Sequence, residues 1–134
     1  MTLIRTADRQ RLDGETRPEG CRAASAGRFV IRDDGTARFD RHFHDVDEFW
    51  FIAEGTGTVQ VGDITHDVVP GDIIYTRAGQ EHDVTAVGQQ LKVFWLTWEA
   101  PEGASVAHLH RDPAYADKHT VPAVAPATTG GPDA

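Results

Sequence analysis

His42 and His44 stand one residue apart in "RHFHDVDEFWFIAEG", Glu48 follows closely, and His82 lies further on in "GQEHD". Imidazole nitrogen and carboxylate oxygen together suit a divalent ion. In an extended strand alternate side chains share a face, so His42 and His44 project together with backbones about 6.6 Å apart, near enough for both rings to reach one ion. Glu48 has the same parity, but on a straight strand it would lie roughly 13 Å beyond His44, too far for metal bonds of about 2 Å. The chain must therefore bend at "DVD", residues 45–47, whose aspartates tolerate the backbone angles of a turn or bulge. A fourth donor is then wanted from another strand, and His82 stands just after a glycine turn. The competing reading is that strand histidines more often cap hydrogen bonds or face solvent.

The elements that must position these groups read as strands. Runs of β-branched and aromatic residues alternate with glycine and Asx punctuation, which predicts strands over 27–32, 36–44, 48–54, 57–62, 64–69, 72–77, 82–87 and 90–98. Short strands joined by tight turns suit a closed sandwich or barrel, hence an all-β fold. Gly62-Asp63 predicts a two-residue hairpin loop, and Pro70-Gly71 a break before the next strand. Asp112-Pro113 opens one short helical turn, "DPAYADKH". Residues 1–26 form an N-terminal arm, expected to add an edge strand to the body or to a second subunit. The barrel is assigned to 27–100 and a C-terminal extension to 101–134, with a flexible tail from about residue 120 suggested by its Pro, Ala, Thr and Gly content.

The spacing from His42 to Gly55 resembles the first motif of the cupin superfamily without a gap, and "PGDIIYTRAGQEH", residues 70–82, resembles the second, with Gly71, Gly79 and His82 in the expected places. The resemblance covers about residues 36–86. It implies a small jelly-roll barrel that binds one divalent metal through His42, His44, Glu48 and His82, with Fe, Mn, Zn and Ni all open. Three positions depart from the motifs: Thr36 replaces an opening glycine, Arg77 a proline and Ala86 a closing asparagine. None is a ligand. Arg77 puts a cation near the expected barrel rim.

Parity suggests what else faces the ion. With Glu48 inward, Trp50 and Ile52 point inward and Phe49 and Phe51 outward. Trp50 is thus either a pocket wall or plain core. On the last strand Val93, Trp95 and Thr97 share one face and Phe94, Leu96 and Trp98 the other; the sequence leaves open which of them faces the metal, so Trp95 is a second candidate wall. Two apolar faces suggest that the outer one is covered, for instance by a second copy in a homodimer, which is also usual in the family. Tyr75 and Arg77 share a face and could hold a substrate carboxylate or enolate; equally, Arg77 could pair with Glu81 or an aspartate. Glu81 and Tyr75 are candidate bases. "HLH", with His108 and His110, lies past the barrel without a nearby carboxylate, which favours surface or dimer contacts over a second metal site. Cys21 has no neighbouring histidine and is expected to be buried and inert.

The composition excludes other classes. A formal charge of -8 opposes nucleic-acid binding, and no apolar run approaches the roughly 18 to 20 residues that span a bilayer. A single cysteine and a start without the apolar core of a signal peptide favour a reducing cytoplasm. The expected function is a metal-dependent enzyme for a small polar organic substrate, most simply an Fe(II)-type dioxygenase. The alternatives are a redox-inert isomerase, lyase or cyclase, and a non-catalytic module that binds a sugar or metabolite.

Overall fold

The computed structural model describes residues 3–118. Six antiparallel strands carry an all-β fold of jelly-roll type: β1 (Arg11–Asp13), β2 (Ser25–Arg32), β3 (Glu48–Val61), β4 (Ile64–Val68), β5 (Ile73–Thr76) and β6 (His82–Thr97). Hydrogen-bonded neighbours run in the order β1-β2-β6-β3-β4, and β5 pairs with β3. β3 and β6 form the spine, paired from Glu48 opposite Thr97 to Val61 opposite His82. Period-two alternation turns Trp50, Ile52, Val59 and Val61 into a core that also takes Phe29, Ile31, Ile74, Val84, Leu91 and Val93. Trp50, 2% exposed, is the largest side chain in it.

Four of the expected strands are two. Segments 48–54 and 57–62 join into β3, and 82–87 and 90–98 into β6, because the glycines between them mark bulges instead of breaks. At Gly55 φ is +80°, and a Cβ there would sit 1.9 Å from the Gln90 carbonyl oxygen. The ladder slips register at Gly55/Thr56 and continues, bending the pair without ending it. Gly62, with φ +58°, makes the expected hairpin between Val61 and Ile64. The N-terminal arm adds β1 to the body, pairing with β2. Residues 36–44 are not a regular strand. They hold isolated bridges, among them His42 opposite His82 and Phe43 opposite Leu109.

The predicted C-terminal turn is a 3-10 helix at Pro113–Lys118, capped where Asp112 Oδ1 accepts the Ala114 N–H at 3.0 Å. The tail expected from about residue 120 lies outside the described residues. Among the described residues no helix is long and apolar enough to cross a membrane.

Candidate metal centre

Three devices bring the histidines and Glu48 together. The His42 and His82 amides each donate to the other's carbonyl, at 3.2 and 2.9 Å, so the two side chains start from paired positions. The chain then bends at residues 45 and 46, and Val46 is buried to 3% exposure. Asp47 fastens the exit of the bend. Its Oδ1 accepts the Ala78 amide at 2.9 Å, its Oδ2 the Tyr75 hydroxyl at 3.0 Å, and its carbonyl the Trp98 amide at 2.9 Å. Glu48, the first residue of β3, is thereby turned back toward the histidines.

The donors converge. Nε2 of His82 lies 3.1 Å from Nε2 of His42 and 3.4 Å from Glu48 Oε1, while Glu48 Oε2 lies 3.5 Å from Nε2 of His44. Neighbouring donors around a zinc-sized ion, with bonds of about 2.0 to 2.2 Å, stand about 3 to 3.5 Å apart. The ring protons are directed away. Nδ1 of His42 donates to the Asp40 carbonyl at 2.5 Å and Nδ1 of His44 to the Ala107 carbonyl at 2.9 Å, leaving both Nε2 lone pairs to face inward. His82 Nδ1 is buried without a hydrogen-bond partner among the described residues. The Trp50 indole N–H donates to Glu48 Oε1 at 2.6 Å, which fixes the carboxylate.

Electrostatics favour a neutral cage that an ion would charge. Burial lowers the His42 pKa, takes His44 down to about 4 with the His42 charge adding to the effect, and holds His82 well below the ordinary imidazole range. Burial also raises Glu48 to about 7, against the opposing indole hydrogen bond. Close contacts between Glu48 and the rings are therefore not ion pairs near pH 6, since both partners are uncharged there. The three buried histidines lie close enough together to hold one divalent ion, with Glu48 alongside His44 and His82.

A second cluster adjoins the first. Asp40, 1% exposed, takes His108 Nδ1 at 3.1 Å on Oδ1 and His110 Nε2 at 2.5 Å on Oδ2. His108 also stacks on His42, with ring centroids 3.6 Å apart and planes 9° from parallel. Asp40, His42 and His108 could in principle share an ion by distance. The stacking argues otherwise, because an ion must lie near the plane of each imidazole it binds and two parallel planes do not meet. Hydrogen bonding is what this cluster provides. The expectation that no carboxylate lies near His108 and His110 is corrected: Asp40 is far away in sequence and close in space, while His108 is exposed as expected.

Other expected site residues separate into inner and outer. Trp50 and Trp95 face inward; Trp50 is core and holds Glu48, whereas Trp95 packs on Phe29 and donates to Ser25 Oγ at 3.2 Å. Val93 and Thr97, buried beside Trp95, settle which face of the last strand is interior. Tyr75 and Arg77 do not face the histidines. Ile74 and Thr76 take the buried positions of β5, so Tyr75, 50% exposed, lies outside against Phe49, and Arg77 is exposed as well. Glu81 points away from His82, its strand neighbour, and Oε1 meets Arg41 at 3.5 Å and Arg111 at 3.7 Å. It pairs with arginines and does not face the histidine cluster as the expected base would. Arg77 also does not provide the pairing considered for Glu81. Cys21 is exposed, contrary to the expected burial.

With the geometry in view, comparison with known proteins adds the family. The Cupin domain model of the Cupin_2 family matches residues 28–99, and the chain belongs to that family. An uncharacterized protein, y4oW, of Sinorhizobium fredii is 42% identical over 57 residues, which cover 42% of this chain and 26% of that protein; the match thus spans about a quarter of the relative's length. Among solved structures, DMSP lyase DddQ of Ruegeria pomeroyi aligns with a TM-score of 0.56 at 19% identity over 78% of this chain and 58% of that one. A putative ethanolamine utilization protein Q of Salmonella typhimurium aligns at 0.53 and 19% identity, over 68% and 69% of the two chains. The plu4264 protein of Photorhabdus luminescens aligns at 0.52 and 22% identity, over 66% and 72%. At these identities the likeness concerns the fold.

Proposed function

We propose that the chain is a metal-dependent enzyme for a small polar organic substrate, with one divalent ion held by His42, His44, Glu48 and His82. The observation that carries this reading is the convergence of those four donors, each buried and two with their ring protons turned outward onto backbone carbonyls. A bound ion would supply Lewis acidity, and in the form of Fe(II) also the capacity to engage dioxygen. The simplest activity is that of an Fe(II)-type dioxygenase. That reading gains from the placement of Tyr75 and Glu81, since oxidation at the ion does not require either as a base. Trp50 holds the carboxylate ligand, and Phe39, stacked on His42 at 4.8 Å, helps keep the site dry.

One observation favours a redox-inert isomerase, lyase or cyclase as the second reading. His108, its side chain 43% exposed and its Nδ1 held by buried Asp40, is an oriented imidazole stacked on His42. Oxygen dependence separates the two. The wild-type protein loaded anaerobically with Fe(II), and separately with Zn, Mn or Ni, is assayed on small enols, thiols and carboxylates. Stoichiometric oxygen uptake with Fe(II) supports oxidation; turnover undiminished without oxygen supports the second reading. A ligand recovered unaltered from the site in every metal form removes both.

A cytoplasmic setting and a homodimer belong to the same proposal. Phe51, Ile73, Tyr75 and Trp98 leave apolar area exposed on the outer sheet face, and a second copy would cover it. Sedimentation of wild type against Phe51→Lys tests this, with a dimer converted to a monomer as the expected result.

A further inference from the structure

Beyond the barrel, the chain returns to the metal strands. Phe43 and Leu109 exchange both backbone hydrogen bonds, at 2.9 and 3.0 Å, and the Asp45 amide donates to the Ser105 carbonyl at 2.9 Å. Asp45 Oδ2 in turn accepts the Ser105 amide at 3.0 Å. Residues 105–111 are thus a strap laid antiparallel along residues 41–45. Antiparallel pairing about Phe43 and Leu109 puts His108 and His110 on the same face as His42 and His44.

The strap reaches two ligands through their back sides. His44 loses the acceptor of its Nδ1, the Ala107 carbonyl, if the strap leaves. His42 Nδ1 is held by the Asp40 carbonyl and lies 3.4 Å from Asp40 Oδ2, and that carboxylate is held by His108 and His110. A ligand imidazole whose outer nitrogen lacks an acceptor is free to carry its proton on the inner one, and a protonated inner nitrogen does not bind an ion.

We infer that this strap is a working part of the metal centre, with His108 and His110 as positioning residues acting through Asp40, so that ion binding and strap docking are one coupled equilibrium. The inference rests on the metal reading proposed above and adds a reciprocity to it. Whatever loosens the strap weakens the ion, and the ion must tighten the strap by the same factor.

The test uses the full chain with Co2+ as the probe, because its visible spectrum reports both occupancy and ligand geometry. Three proteins are compared: wild type, the double variant His108→Gln/His110→Gln, and Leu109→Pro, which removes the amide donated to Phe43 without touching an inward side chain. Both variants are expected to bind Co2+ about 10- to 100-fold more weakly, the range usual for loss of groups behind a metal ligand. The double variant should also show an altered spectrum at saturation. Hydrogen exchange at the Leu109 amide is expected to slow when wild type is loaded with Zn2+. If the double variant fails to fold by circular dichroism, Leu109→Pro and the exchange measurement decide.

Wild type that binds no ion overturns the metal reading and this inference with it. Wild type that binds, with unchanged affinity and spectrum in both variants and no change in Leu109 exchange, overturns the inference alone. A defect confined to Leu109→Pro removes the positioning role of the two histidines and leaves the strap.

Discussion

The two sides of the segments 40–44 and 108–111 differ completely, although their residues alternate along the same stretches of chain. Inward lie Asp40, His42, His44, His108 and His110, joined by hydrogen bonds and ring stacking. Outward lie Arg41, Phe43, Glu81 and Arg111, joined by ion pairs, the Arg111 guanidinium 4.3 Å over the Phe43 ring and the Arg111 bond to the Gly79 carbonyl. The inner side gathers histidine donors that could hold an ion. The outer side holds the two segments together. The lesson is that period two lets one short stretch carry chemistry and attachment at once, with different costs for damage to each.

Damage to the inner side should be the larger. His42→Ala and His82→Ala are each expected to abolish stoichiometric metal, measured by elemental analysis of protein purified without a tag or chelator; retained metal would remove the ligand assignment. Next comes Trp50→Phe. Loss of the indole N–H leaves a buried carboxylate oxygen short of a donor, at a cost of about 1 to 3 kcal/mol in unfolding free energy. Weaker ion binding should accompany that loss, and denaturant unfolding with and without Zn2+ measures both.

Acidity sharpens the same contrast. In the ion-free protein Glu48 keeps its proton to about 7, whereas its ordinary value is 4.5, so the folded state binds a proton that the unfolded chain releases. That contribution to stability is full below 4.5 and lost as pH rises through 7. His44 acts in the opposite sense: it stays neutral down to about 4 while unfolded histidine charges at 6.5, so stability falls as pH drops through that window. An ion replaces the missing positive charge beside ionised Glu48. Its gain in melting temperature should thus be greater at pH 8 than at pH 6, and equal gains in thermal scans would contradict the assigned burial of Glu48.

The smallest effect belongs to the outer side. Arg41→Ala breaks a long, largely buried contact to Glu81, beside which Arg111 remains, and a bond to the Gly62 carbonyl, and should cost about 1 kcal/mol. Metal content is expected to stay at the wild-type level. A loss of metal as large as that of His42→Ala would erase the division between the two faces.

How far the sequence revealed this arrangement depended on the range of the interactions. The His42, His44 and Glu48 spacing was legible because strand geometry demands a bend at residues 45–47, and Asp47 and Val46 do secure one there. Asp40 went unnoticed, yet its parity with His42 and His44 was a usable signal. What the sequence hides is the register between residues 40–44 and the strap, because no local rule tells His108 and His110 that their carboxylate is Asp40. Likewise "DIIYTR" is apolar in both parities, which left Tyr75 and Arg77 free to be assigned to the wrong face; packing of Ile74 and Thr76 decided it. The bulge at Gly55 read as an end because glycine signals breaks and bulges alike.

The strap also sets an order of events in the life of the chain. A ribosome delivers residues 42–48 first, His82 later and residues 105–111 last, and β3 cannot pair along its full length until β6 has emerged. The half-made protein would therefore expose three loosely oriented imidazoles to any passing transition metal. On the proposed coupling, selection of an ion would wait for the strap, and the metal available in the cell at that moment would be part of how the site is specified.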